Sequence, residues 1–221
     1  MSMPTATPTS TPTKLYTVSG ELAPRAPFDF AKTYRFLHGF SPTAGEQALH
    51  EGAITKAVAI GVQAIAFTVR STGSVEQPRL AYTLAAERPL SADEQAAVAD
   101  RIGFFLSLDD DLAPFYTLGR ADPHFAPVIQ RFYGLHHPKF LTPFEIACWA
   151  ILGQRVPMRL ARQVKVSSVD QELLKAAAQL YSNGQPLTSD AVRMLLNAYG
   201  TAQGYWAYYA RIATIDAFGA M

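Results

Sequence analysis

The chain has 221 residues, 49% of them hydrophobic and 17% charged, with a formal net charge of +1. That length holds one large domain or two small ones, and the composition excludes a wholly disordered or fibrous protein. No apolar run reaches the roughly 18–20 residues of a membrane span, and Cys148 is the only cysteine, so internal disulfides and four-cysteine zinc sites are excluded too. A soluble protein of a reducing compartment, the cytoplasm, is the expectation.

Residues 1–13 carry no charge and are mostly Thr and Pro, which predicts a disordered tail without the features of a signal peptide. Residues 14–112 read as an α+β domain. Phe28, Ala31, Tyr34, Phe36 and Leu37 suit a short amphipathic helix that stops at Gly39. The segments Ile54–Gly61, Val62–Arg70 and Arg79–Glu87 are β-rich and separated by Gly and Pro, the pattern of an antiparallel meander. Ser91-Ala-Asp-Glu94 is a capping box, and Val98, Ile102 and Phe105 follow at helical spacing. Together these segments predict an N-terminal antiparallel sheet with helices on one face.

Residues 113–221 read as all-α. Asp109, Asp110 and Asp111 lack the alternation and glycine of a calcium loop and read as a helix end or turn. His136 and His137 before Pro138 read as a loop pair, either solvated or touching phosphate, and two histidines alone do not make a metal site. Thr142-Pro-Phe-Glu145 caps a helix that runs through Trp149 to Leu152 and ends at Gly153, and Pro157 opens another. Ser167 or Ser168 caps a third, with Leu173, Leu174, Ala177 and Leu180 on one face and Asn183-Gly184 as its stop. Thr188 or Ser189 caps a fourth ending at Gly200, and a last helix carries Tyr205, Trp206, Tyr208 and Tyr209.

Charge is unevenly spread. Between His124 and Ser168 stand six basic residues, Arg131, Lys139, Arg155, Arg159, Arg162 and Lys165, against the single acid Glu145. Such a segment is either a solvated helix face or a local phosphate-binding surface.

The stretch Phe140-Leu-Thr-Pro-Phe-Glu-Ile-Ala-Cys-Trp-Ala-Ile-Leu-Gly-Gln-Arg155 resembles the helix-hairpin-helix DNA glycosylases, specifically the bacterial 3-methyladenine DNA glycosylase II type. Phe28-Asp-Phe-Ala, Leu106-Ser-Leu-Asp-Asp-Asp-Leu-Ala-Pro-Phe-Tyr116, Phe132-Tyr-Gly-Leu-His-His137 and Ser168-Val-Asp170 with its following helix are similar to segments of that family in the same order. The resemblance covers roughly residues 24–213 and implies an incomplete helix-hairpin-helix glycosylase-like fold. Such proteins carry a Gly-x-Gly hairpin between the Gln turn and the aspartate. This chain has no Gly-x-Gly, and residues 155–169 are all that separate Gln154 from Asp170. The hairpin segment is therefore expected to be missing, with the junction near residues 165–167 and an apolar patch exposed near Leu160 and Leu173.

The resemblance implies base-excision repair of alkylated purines of the 3-methyladenine type. Such an enzyme flips the nucleotide out of the stack and hydrolyses its N-glycosidic bond. Asp170 is then the catalytic carboxylate beside the developing sugar cation, a position that an Asp at a helix start also takes for dipole reasons alone. Leu152 at the Gly153 turn is the wedge, Gln154 faces the orphaned base, and Arg155 and Arg159 reach phosphates. Trp149, Tyr205 and Trp206 form the base pocket, with Tyr208 and Tyr209 of the same helix as further lining candidates, although an aromatic stripe at that spacing equally makes a core. Hydrolysis needs no lyase-type lysine, metal or cofactor here. The partner is duplex DNA with alkylated bases, the setting is the nucleoid, and no membrane or obligate protein partner is implied. The alternative is a catalytically impaired remnant that binds DNA without releasing bases.

Overall fold

The computed structural model describes residues 14–40, 45–142 and 171–214. Within them lie five strands, β1 (Tyr16–Leu22), β2 (Gln47–His50), β3 (Ala53–Ile60), β4 (Gln63–Ser71) and β5 (Leu80–Ala86). All pair antiparallel in one sheet of order β1-β5-β4-β3-β2. Three strands coincide with the predicted meander. The two edge strands do not appear in the sequence pattern, because they bury little: β1 alternates between exposed and half-buried residues, and β2 has only four residues.

The sheet is one-sided. Opposed pairs Ile54–Val69, Lys56–Phe67 and Val58–Ile65 share a face, and all six are buried. Lys56 is tolerated there because its ammonium reaches Glu46 Oε2 at 2.8 Å, while the other face carries hydroxyl pairs such as Thr55–Thr68. This is the division expected of an antiparallel sheet with one face covered. The cover is α2 (Ala92–Leu106), whose Phe105 meets Phe67 edge-on. Its capping box forms as predicted. Arg88 beside Glu94, with the Ser91 N–H, holds the Glu94 carboxyl down to about 2.

α1 (Phe30–Gly39) starts at Asp29, whose carboxylate accepts from the Lys32 N–H. The helical half contains α3 (Ala113–Ala121), α4 (Ala126–Arg131), α5 (Gln171–Tyr181), α6 (Ser189–Ala198) and α7 (Gln203–Ala213). Asp111 accepts from the Ala113 N–H ahead of α3, consistent with the predicted turn. Asn183 and Gly184 follow α5 with positive φ, and Thr188 caps α6, both as predicted. The predicted helices over residues 142–165 and the hairpin junction lie outside the described residues.

Apolar side chains form two clusters, one between the sheet, α1 and α2, the other among α3–α7. Leu173 is fully buried in the second. This corrects the expected apolar patch at that position, since α5 finds its cover in α6 and α7. Leu160 lies outside the described residues.

The loop at 132–140 joins the two clusters. Gly134, with φ +83°, is held by backbone contact: its carbonyl accepts from Asp29 N–H at 2.7 Å, and a Cβ would lie 3.0 Å from Asp29. Its own N–H donates to Tyr116 Oη. His136 is not solvated as one reading of the pair had it. It is fully buried, with Nδ1 2.6 Å from Ser107 O and Nε2 3.0 Å from Pro27 O. Those two contacts pin the loop to the end of α2 and to the segment before α1.

Candidate functional site

Where α1, the end of α2, the loop and α7 converge, they leave a cavity of about 480 Å³. That is within the size range of small-molecule sites. Phe36, Leu37 and Phe40 come from α1 and its end, Phe105 from α2, His137 to Phe140 from the loop, and Gly204, Tyr208, Arg211 and Ile212 from α7. The walls are largely aromatic. Phe36 stands edge-on to Tyr208 at 5.3 Å, and the His137 ring lies 4.2 Å from the same tyrosine. The rim is basic: Lys139 and Arg211 line it, and no carboxylate does among the described residues.

Asp110 fixes the loop against α7. One carboxylate oxygen takes Lys139 Nζ at 3.2 Å and the other takes the Tyr205 hydroxyl at 2.5 Å. Burial, then this bond to a carboxylate, pushes the Tyr205 hydroxyl well above its usual pKa. Tyr205 thus stands behind the wall and braces it; it is not among the cavity-lining residues.

Trp206 points elsewhere. It is fully buried in the helical cluster, near-parallel to Phe125 at 5.9 Å. Its Nε1–H donates to Tyr181 Oη at 3.1 Å, and Tyr181 and Tyr199 both donate to Asp122 Oδ2. Burial first, then the Asp122 bond, raises the Tyr181 hydroxyl; burial, Tyr181 and Asp122 raise that of Tyr199. Tyr209 is also interior, its hydroxyl facing the Phe132 and Leu135 carbonyls. Of the four aromatic residues at the start of α7, Tyr208 alone lines the cavity. Trp149, Leu152, Gly153, Gln154, Arg155, Arg159 and Asp170 lie outside the described residues. The sequence offered Tyr208 as a pocket residue but not its grouping with Phe36 and His137, since the three come from distant segments and carry no common motif.

Two details of the lining carry consequences. Tyr208 is 8% exposed, and its hydroxyl is buried with no hydrogen-bond partner among the described residues. An unpaired buried hydroxyl costs about 1–3 kcal/mol. Tyr208→Phe is therefore expected to raise stability by about 1 kcal/mol, seen as a higher urea midpoint with unchanged slope. A drop would show that the hydroxyl is satisfied in solution.

His137 is open to water at the cavity mouth but hemmed in by protein on its other sides. That crowding, then Lys139 and Arg211, lowers its pKa to about 4, with Asp110 opposing. Between pH 6.5 and 4 the unfolded chain binds a proton here that the folded chain does not, so stability falls as pH falls through this window. Urea titrations at pH 7, 5.5 and 4.5 should show a shallower loss for His137→Phe than for wild type.

No protein-family model matches the sequence. Over 117 residues the chain is 31% identical to the DNA-3-methyladenine glycosylase of Bacillus subtilis (strain 168). Over that stretch it is homologous to a DNA-3-methyladenine glycosylase. The match spans 53% of this chain and 38% of the relative. The fold resembles that of a 3-methyladenine DNA glycosylase from Archaeoglobus fulgidus, with a TM-score of 0.67 at 12% identity, over 91% of this chain and 99% of that one. The antiparallel sheet followed by helices is thus an α+β arrangement found in a known glycosylase structure.

Proposed function

We propose that the protein is a monofunctional DNA base-excision repair glycosylase, acting in the cytoplasm on duplex DNA that contains alkylated purines of the 3-methyladenine type. The partial homology to a protein of that name carries the reading. The aromatic cavity supports it, because a flat base flipped from the stack needs such walls. The two apolar clusters support a division into an N-terminal α+β domain over 14–112 and a glycosylase-like helical domain over 113–221.

In this reading Leu152 at the Gly153 turn fills the hole in the stack, Gln154 pairs with the orphaned base, and Arg155 and Arg159 hold phosphates. Trp149 adds to the base pocket, with Tyr205 acting as its brace. The bond from the sugar C1′ to the base nitrogen breaks, and its electron pair leaves with the base. The Asp170 carboxylate stabilises the sugar cation and takes a proton from the water that adds to C1′. The products are a free base and an abasic site, and no metal or cofactor enters.

A second reading, a DNA-binding remnant without base release, draws on the absence of a Gly-x-Gly hairpin. Incubation of the purified chain with dimethyl-sulfate-treated duplex, followed by chromatography of released bases, separates the two. Release of free methylated purines supports the enzyme. Salt-dependent duplex binding with no release supports the remnant.

A further inference from the structure

Few groups in the cavity lining can exchange hydrogen bonds with an occupant. Phe36, Phe105 and Phe140 supply only apolar surface. Lys139 and Arg211 can donate hydrogen bonds but not accept them. The Tyr208 hydroxyl has almost no exposed surface. His137 is exposed, and no described residue bonds its ring nitrogens. Among the described lining side chains it alone presents an accessible donor and acceptor together.

We propose that the His137 imidazole hydrogen-bonds the polar edge of a flat, purine-like heteroaromatic ring seated in this cavity. The geometry prepares it for that task. Its ring rests on Tyr208 at 4.2 Å. Its carbonyl accepts from Ser107 Oγ at 2.5 Å, so the residue is anchored through its backbone while its side chain stays available. A neutral imidazole carries one N–H and one bare nitrogen, and either tautomer is accessible. It can therefore meet an amino group or a ring nitrogen, both of which a purine edge displays. Crowding by protein on its closed sides and the neighbouring cations keep the ring neutral at physiological pH. The assignment of a purine-like ring, as distinct from another heteroaromatic ligand, rests on the glycosylase reading.

The test is calorimetric titration of free adenine and free 3-methyladenine into wild type, His137→Phe and His137→Asn. Phenylalanine keeps a ring on Tyr208 and removes both nitrogens; asparagine restores a donor and an acceptor. The expected result is binding to wild type, a loss of about tenfold for His137→Phe, and recovery to within about threefold for His137→Asn, at similar melting temperatures. Equal affinities for wild type and His137→Phe overturn the assignment, as does the absence of base binding to wild type at millimolar concentration. Should His137→Phe fail to fold, imidazole ¹⁵N shifts of wild type decide: a change on adding adenine upholds the contact, and unmoved shifts overturn it. Base release from methylated duplex is scored separately. A wild type that releases nothing sinks the glycosylase reading, while the titration still decides His137. Normal release with identical kcat and KM in His137→Phe sinks the His137 role alone.

Discussion

Asp170→Asn is expected to abolish the release of methylated purines from duplex DNA while leaving folding and duplex affinity intact. The isosteric amide removes the one negative charge that the proposed mechanism places beside the sugar. As the glycosidic bond breaks, positive charge grows on C1′ and its ring oxygen, and a fixed carboxylate stabilises that state far more than the neutral substrate. Loss of one preorganised electrostatic group of this kind costs about 10²–10³ in rate, and the amide also loses the capacity to take the proton of the attacking water. The decisive comparison is single-turnover release by wild type and Asp170→Asn on the same methylated duplex, with a filter-binding curve for each at two salt concentrations. A rate lowered by less than tenfold, with affinity unchanged, would remove Asp170 from the chemistry. The alternative function that the sequence offers for this residue, a favourable charge near a helix N-terminus, predicts the opposite pattern: an intact rate and a lowered melting temperature.

Legibility in the sequence followed burial. β3, β4 and β5 alternate because one face of each covers α1 and α2, so their pattern is visible at a distance of a few residues. β1 is an edge strand whose pairing with β5 is written in backbone hydrogen bonds, and those leave no trace in side-chain type. Capping signals were equally direct, since Ser91 with Glu94 and Thr188 each satisfy a helix end within three residues. The cavity was hidden for the reverse reason. Phe36 and Tyr208 are separated by most of the chain, and only the two-cluster packing brings their rings edge to face. His137 was hidden by its neighbour: two consecutive histidines look alike in the sequence, and the turn after Gly134 sends one into the interior and leaves the other at the cavity.

Trp206 separates a core role from a pocket role more sharply than any other aromatic residue in the helical half. Trp206→Ala is expected to cost about 3–5 kcal/mol, the range for removing a large buried ring. It also strips Tyr181 of its indole donor and loosens the hydroxyl cluster on Asp122. Against a total stability of about 5–15 kcal/mol, such a loss is a large fraction of the whole, and at the low end of that range it unfolds the protein. Lost activity in that variant would therefore say nothing about base contact. Trp206→Phe is the informative change. It keeps most of the ring stacked on Phe125 and packed against the tilted Tyr199 ring and deletes the N–H, so a smaller penalty of about 1–2 kcal/mol is expected. Because Trp206 is absent from the cavity lining, base release and free-base affinity should stay within about threefold of wild type, the margin of a fraction of a kcal/mol. Chemical denaturation and base titration on the same preparation read the two effects apart. A Trp206→Phe protein that kept its stability and lost base affinity would place the indole in the pocket after all, and the wall built by Phe36, His137 and Tyr208 would then be only part of it.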